Sequence, residues 1–299
     1  MLTALALLAW GSLLPVLWNW RIALQGTTLT TAGTTACLAW MLWGIAGGLS
    51  LANCLGDGAL AVVWYAVAVV MLVPPIAVLG ARRPIHRAWP WFVLLPLVLI
   101  FAWPAASAFP RFQPPREWNI ESPVLAGYAL LLLMGAGNFL GLRHTIPSLL
   151  WMASLGLLAG SLCPATAARL PGPPDARHWA TLLLSAAGWW GLWQSRRSQR
   201  QRKSGNTHPL DRVWFDFQDV FGVVWARRVQ DRFNDLVRQR RVPVLLTMHG
   251  LRGGAAGETS ISEVALVDLQ GAEANLRWLL QKFVDPDWID ARLRPTQGA

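Results

Sequence analysis

Seven stretches of the chain are apolar and carry no Asp, Glu, Lys or Arg: residues 2–18, 34–53, 59–80, 89–109, 122–142, 146–163 and 179–193. A helix needs about 20 apolar residues to cross a hydrocarbon core of ~30 Å. Five of the seven meet that length; the first, at 17, is marginal, and the last, at 15, must borrow flanking residues. A lipid-exposed backbone has to satisfy its own hydrogen bonds, so each stretch predicts a helix. The first lacks a basic leader and a small-residue cleavage site and runs into Trp18, Trp20 and Arg21, which predicts a retained helix.

After residue 194 the pattern changes. The strip 195–208 is polar and basic and predicts a linker, with Arg196, Arg197, Arg200, Arg202 and Lys203 placed to meet anionic headgroups. Residues 209–241 predict one long amphipathic helix. Its apolar positions, including Trp214, Phe217, Phe221, Trp225 and Phe233, recur in steps of three and four, and Arg and Asp fill much of the rest. Such a stripe demands a buried face, so these five aromatic residues are the candidates for docking on a partner or on the domain's own core. Residues 242–251 predict a strand or extended segment, 252–259 a glycine-rich loop, 262–284 a second helical region, and Asp285–Pro286 the start of a short final helix.

The fold class expected is an all-α polytopic membrane protein. Residues 1–194 form seven transmembrane helices, 195–208 the linker, and 209–299 a small, mainly helical cytoplasmic domain. Composition agrees: of 299 residues, 54% are hydrophobic and 14% charged, against about 25% charged in soluble domains. The net charge of +10 is confined to the first 203 residues, which hold 14 of 26 basic and 4 of 16 acidic side chains. The excess therefore belongs to the membrane part, and no nucleic-acid partner is expected. With the N-terminus outside, the inner connections carry Arg21, Arg82, Arg83, Arg87, Arg143 and the basic strip, while Arg111, Arg116, Arg169 and Arg177 lie outside. The positive-inside rule favours that orientation in a plasma membrane, with a bacterial inner membrane as the expected setting.

Tryptophans support the same boundaries. Trp18, Trp20, Trp89, Trp91 and Trp193 fall at expected inner ends and Trp103 and Trp179 towards outer ones, where an indole keeps its N–H near water. Trp10, Trp40, Trp43 and Trp64 read as lipid-facing bulk. Three glycine pairs at four-residue spacing, Gly44/Gly48, Gly137/Gly141 and Gly156/Gly160, predict close helix packing. Pro74–Pro75 and Pro96 predict kinks.

Chemistry-bearing patterns are few. No charge sits inside a span to couple an ion; Asn138 is the strongly polar residue near a span centre and reads as an interhelical hydrogen bond. The five histidines form no metal or haem spacing, and the glycines after Arg252 lack the Lys-Ser/Thr of a phosphate loop. No cofactor or metal site is expected. Cys54 and Cys163 fall at outer ends and read as free thiols. The function expected is non-enzymatic anchoring or assembly, with the bilayer and a protein as partners of the chain. The alternative is a channel, permease or lipid-handling protein without a buried coupling residue. A membrane enzyme would need Arg83, His86, Arg143 and His144 to converge.

Overall fold

The computed structural model describes residues 2–81, 101–104, 120–170, 172–204, 208–253 and 266–294. The chain is mostly helical. Among the described residues, three helical segments are long and apolar enough to cross a membrane: Leu2–Ala23, Thr30–Ala52 and Asp57–Leu79. Two shorter apolar helices follow, Ser122–Gly137 and Thr145–Ser161. Most of the expected fourth stretch, including Pro96, Trp89 and Trp91, lies outside the described residues; so do His86, Arg82, Arg83, Arg87, Arg111 and Arg116.

Proline sets the breaks within the long segments. The first consists of α1 (Leu2–Gly11) and α2 (Leu14–Ala23). Pro15 has no N–H to give the Gly11 carbonyl, and its ring crowds that oxygen, so the helix restarts. Next comes α3 (Thr30–Ala52), closed by Asn53 in the left-handed region at φ 49°. The kink expected at Pro74–Pro75 divides the third segment into α4 (Asp57–Val70) and α5 (Val73–Leu79). Then come α6 (Ser122–Gly137), α7 (Thr145–Ser161), the short α8 (Pro164–Ala167) and α9 (Pro173–Ser204).

The basic strip is helical as far as Ser204, where α9 ends, as Arg, Gln and Lys, all good helix formers, permit. Arg196, Arg197 and Arg200 are exposed on it, with Arg197 5.3 Å from the Trp193 ring centre; Arg202 and Lys203 lie on its last turn. The glycine pairs do not bring backbones together. Gly48, Gly137 and Gly156 meet nothing within 4 Å, Gly160 meets a leucine side chain, and Gly141 lies in a turn. The close approach at Gly44 is made by the indole of Trp10. That indole stacks on Trp40 at 4.5 Å, and each ring N–H donates to the other residue's carbonyl at 3.1 Å.

Trp43 and Trp64 are also core rather than lipid-facing bulk. They pack edge to face at 5.5 Å among α3, α4 and α9, and Trp43 donates to the Thr181 hydroxyl at 3.0 Å. Tyr65, Leu72, Tyr128, Leu155 and Leu158 complete that core. Trp18, Trp20, Trp103, Trp179 and Trp193 are exposed. Cys37, Cys54 and Cys163 are free.

The last third holds α10 (Pro209–Gln239), β1 (Val244–Thr247), β2 (Gly250–Gly253), α11 (Leu266–Leu280) and α12 (Pro286–Leu293). The stretch expected as one extended segment folds back at Met248–His249 into an antiparallel hairpin, pairing Val244 with Gly253 and Thr247 with Gly250. One side of α10 holds the hairpin by its backbone. Trp214 Nε1 donates to Thr247 O at 2.8 Å, Gln218 Nε2 to Met248 O at 3.1 Å, and Asp211 accepts Leu251 N–H at 2.7 Å. Asn234 pairs with both backbone groups of Leu246. Gly250 is at φ 111°, and a Cβ there would lie 2.7 Å from the Asp211 carboxylate. The turn therefore needs glycine.

Candidate functional site

The five aromatic residues singled out as a docking face are buried: Trp214, Phe217, Phe221 and Phe233 completely, Trp225 nearly so. Trp214 stacks on Phe217 at 6.0 Å and Phe217 on Phe221 at 4.6 Å. Phe283, just beyond α11, meets Phe217, Phe221 and Trp225 edge to face at 5.0–5.5 Å. The face thus presents no open surface to a separate partner. Its covering is this chain, and part of that covering comes from the N-terminal half. Leu29, Ala32, Val78 and Ala81 belong to the same buried cluster. Periodicity measures how wide a face must be buried, not what buries it.

The contact between the halves is a polar seam as well as an apolar one. The expected single helix 209–241 is interrupted at Gly222, which stands at φ 79°, ψ −179°. A break in mid-helix orphans backbone groups on both sides. Asn138 meets them. It is not mid-span, because α6 ends at Gly137 and Asn138 caps that end, 2% exposed. Its side-chain amide donates to Phe221 O at 3.1 Å, its Oδ1 accepts Val224 N–H at 3.0 Å, and its backbone carbonyl accepts Val223 N–H at 2.7 Å. A Cβ on residue 222 would overlap the Asn138 amide. Glycine is required here twice, by its positive φ and by the close approach.

Two further contacts extend the seam. Trp225 Nε1 donates to Val78 O, at the end of α5, at 2.9 Å. The turn after α2 pairs with the segment after α11 as a short antiparallel bridge between Thr27 and Val284. Thr28 N–H donates to Phe283 O at 2.8 Å and Asp285 N–H to Gly26 O at 2.7 Å. The Thr28 hydroxyl donates to Ala81 O. Beside it, Arg143 lies 3.9 Å from Asp219 and 5.9 Å from the Phe215 ring centre. Asp285, expected to cap the last helix, occupies the N-cap position but makes no side-chain capping bond.

Ionisable groups around the seam are tuned by burial. Desolvation lowers the pKa of His208, with Asp211 and Glu273 acting against the shift. Its Nδ1 accepts Leu210 N–H at 3.3 Å and so caps α10. Desolvation raises the Asp211 carboxyl, opposed by the Leu251 hydrogen bond and the charges of His208 and Arg252. The Arg292 guanidinium, bonded to Asp216 at 2.8 Å and lying 3.6 Å over Trp288, is brought down to about 10 by burial. Each of these groups holds a helix end or packs a neighbouring element. Among the described residues there is no group of three or more His, Cys, Asp or Glu arranged to hold a metal. The chain matches no family model, no curated protein and no solved structure.

Asn138 makes the interhelical hydrogen bond expected of it, but its pairing with Gly222 was not expected. A glycine within an amphipathic helical pattern is the one local signal, since it costs about 1 kcal/mol relative to alanine unless something requires it. Its partner, 84 positions earlier, carries no mark of the contact.

Proposed function

We propose that the chain is a seven-helix integral protein of a plasma membrane, its N-terminus outside and its C-terminal domain in the cytoplasm. We read it as a non-enzymatic anchor: a domain bolted to the inner ends of membrane helices and held there in one orientation for a protein partner. The observation that carries this reading is the seam. Three turns, 24–29, 78–81 and 138–143, meet the C-terminal domain, and these are the turns that charge counting assigns to the inside. Arg21 and Arg143 mark two of them. A domain on a mere tether would need no backbone pairing to such turns. Large apolar side chains left exposed on α1, α2, α3, α6 and α7 suit a lipid surround.

The test has two arms on the full-length protein. Labelling of single cysteines at residues 54 and 299 from each side of sealed cells should mark residue 54 from outside and 299 only after permeabilisation. Crosslinking in cells should then yield a defined protein complex that is lost on Asn138→Ala. Outside labelling of residue 299 overturns the orientation, and a complex indifferent to the seam overturns the anchoring role.

A further inference from the structure

At the far end of the helices from the seam, a cavity of about 60 Å³ opens among α1, α3, α4 and α9. Leu7, Trp10, Trp43 and Leu51 form its apolar walls. Thr3, Ser50, Trp64, Arg177, His178 and Thr181 add polar groups to its lining. Arg177 is 8% exposed and Trp64 3%. Arg177 Nε, Trp64 Nε1 and His178 Nδ1 are each buried without a hydrogen-bond partner among the described residues. Arginine and indole nitrogens only donate. A buried charged donor left unmet is costly, and the three orphaned atoms belong to side chains that line one small cavity.

Other groups nearby do not fill that role. The guanidinium lies 5.7 Å from the Trp64 ring centre, which supplies a face but no acceptor. Asp57, in the first turn of α4, acts on Arg177 electrostatically and makes no ion pair with it. The Thr181 hydroxyl, also on the wall, is committed: it donates to Arg177 O and accepts from Trp43. The charge of Arg177 is therefore available to something that enters.

We propose that this cavity binds a phosphate group through Arg177, Trp64 and His178. The donor set asks for an anion with several acceptor oxygens, which is what phosphate offers a guanidinium. The volume, about four water sites at ~15 Å³ each, suits one such group and little more. The same chemistry has two sources, a phospholipid headgroup and free phosphate. The site stands on the packing of four helices and not on the orientation or anchoring role, so either can fail without the other.

The experiment is calorimetric titration of the full-length protein in a neutral detergent with three probes: inorganic phosphate, dihexanoyl-phosphatidylglycerol and the phosphate-free dihexanoylglycerol. Binding of phosphate alone or with the phospholipid assigns a free-anion site, and binding of the phospholipid alone a headgroup site; both support the proposal. Arg177→Gln should weaken binding about tenfold or more, as loss of a charge-assisted hydrogen bond does. Arg177→Lys should restore part of it. Trp64→Phe keeps the packing and removes one donor, so it should weaken binding about threefold even if the arginine variant does not fold. The proposal is overturned if neither phosphate probe binds, if the phosphate-free lipid binds equally well, or if Arg177→Gln and Trp64→Phe fold and bind as wild type.

Discussion

The two halves of the molecule treat the same residue types in opposite ways. On the N-terminal apolar helices, large apolar side chains point outward: Leu8 is 72% exposed and Leu130 59%. Among the described residues of 208–294, only Val224 and Trp278 of the large apolar side chains remain exposed, Trp278 with the Lys282 ammonium over its ring. The C-terminal domain obeys the usual rule that aromatic bulk goes inside, worth about 1.5–3 kcal/mol for each large side chain. The helices beside it bury Trp43, Trp64, Tyr65 and Tyr128 as well, but leave many other large apolar side chains exposed. The difference suits two solvents, hydrocarbon around one half and water around the other, with the seam where the two packing rules meet. Backbone hydrogen bonds there do what apolar contact alone cannot: they set the register of one half on the other.

That comparison can be broken from either side. Phe217→Ala, at the centre of the aromatic cluster, should cost about 3–5 kcal/mol and unfold the C-terminal domain while leaving the N-terminal helices intact. Limited proteolysis in detergent, with the two halves detected separately, checks it. Gly222→Ala forces a Cβ into the Asn138 amide at a positive φ and should cost about 3 kcal/mol or more. Its mark is early release of the C-terminal domain on heating, with the membrane core melting as in wild type. Asn138→Ala strands the Phe221 carbonyl and the Val224 N–H and should cost about 2–3 kcal/mol. Asn138→Asp keeps the acceptor for Val224 and should fall between that variant and wild type in the same melt.

The smallest effects are those of pH and charge. His208 caps α10 as a neutral imidazole, and burial holds its pKa below the ordinary value. As pH falls through about 6.5 the unfolded imidazole takes a proton first. The stabilisation is thus present above that value and lost on acidification through the lower folded-state pKa. His208→Asn, a cap that does not titrate, should flatten that slope of stability between pH 8 and 5. Asp211 works the other way. Its raised pKa favours folding below the ordinary carboxylate range, and the benefit fades as pH rises through the folded value. Asp211→Asn keeps an acceptor for Leu251 and should match or slightly exceed wild-type stability at pH 7, by denaturant titration.

Much of the architecture was legible from pattern alone. Apolar stretches without charge marked the first three long segments and the two shorter apolar helices, Pro74–Pro75 marked the break between α4 and α5, and Pro286 the last helix. What escaped was every feature set by a distant partner. Trp43 and Trp64 read as lipid-facing because nothing nearby shows that Thr181 waits for one indole or that Arg177 lies over the other. The aromatic stripe of α10 announced a buried face but not that Leu29 and Val78 help to bury it. The basic strip read as a linker because its charges signal solvent, and solvent is compatible with helix. Asn138 makes the interhelical hydrogen bond that its polarity suggests, but at the end of α6 and not near a span centre, because α6 stops at Gly137, earlier than its apolar run.

The seam is most directly tested at Thr27 and Val284. The flanking hydrogen bonds make them a non-hydrogen-bonded antiparallel pair, a geometry with Cα atoms about 4.5 Å apart, within the reach of a disulfide. In full-length protein with Cys37, Cys54 and Cys163 replaced, Thr27→Cys with Val284→Cys should crosslink nearly completely under mild oxidation, and Gly222→Ala should reduce the yield. A pair that stays reduced in the folded protein would contradict the account, because the C-terminal domain would then not be seated on the N-terminal helices.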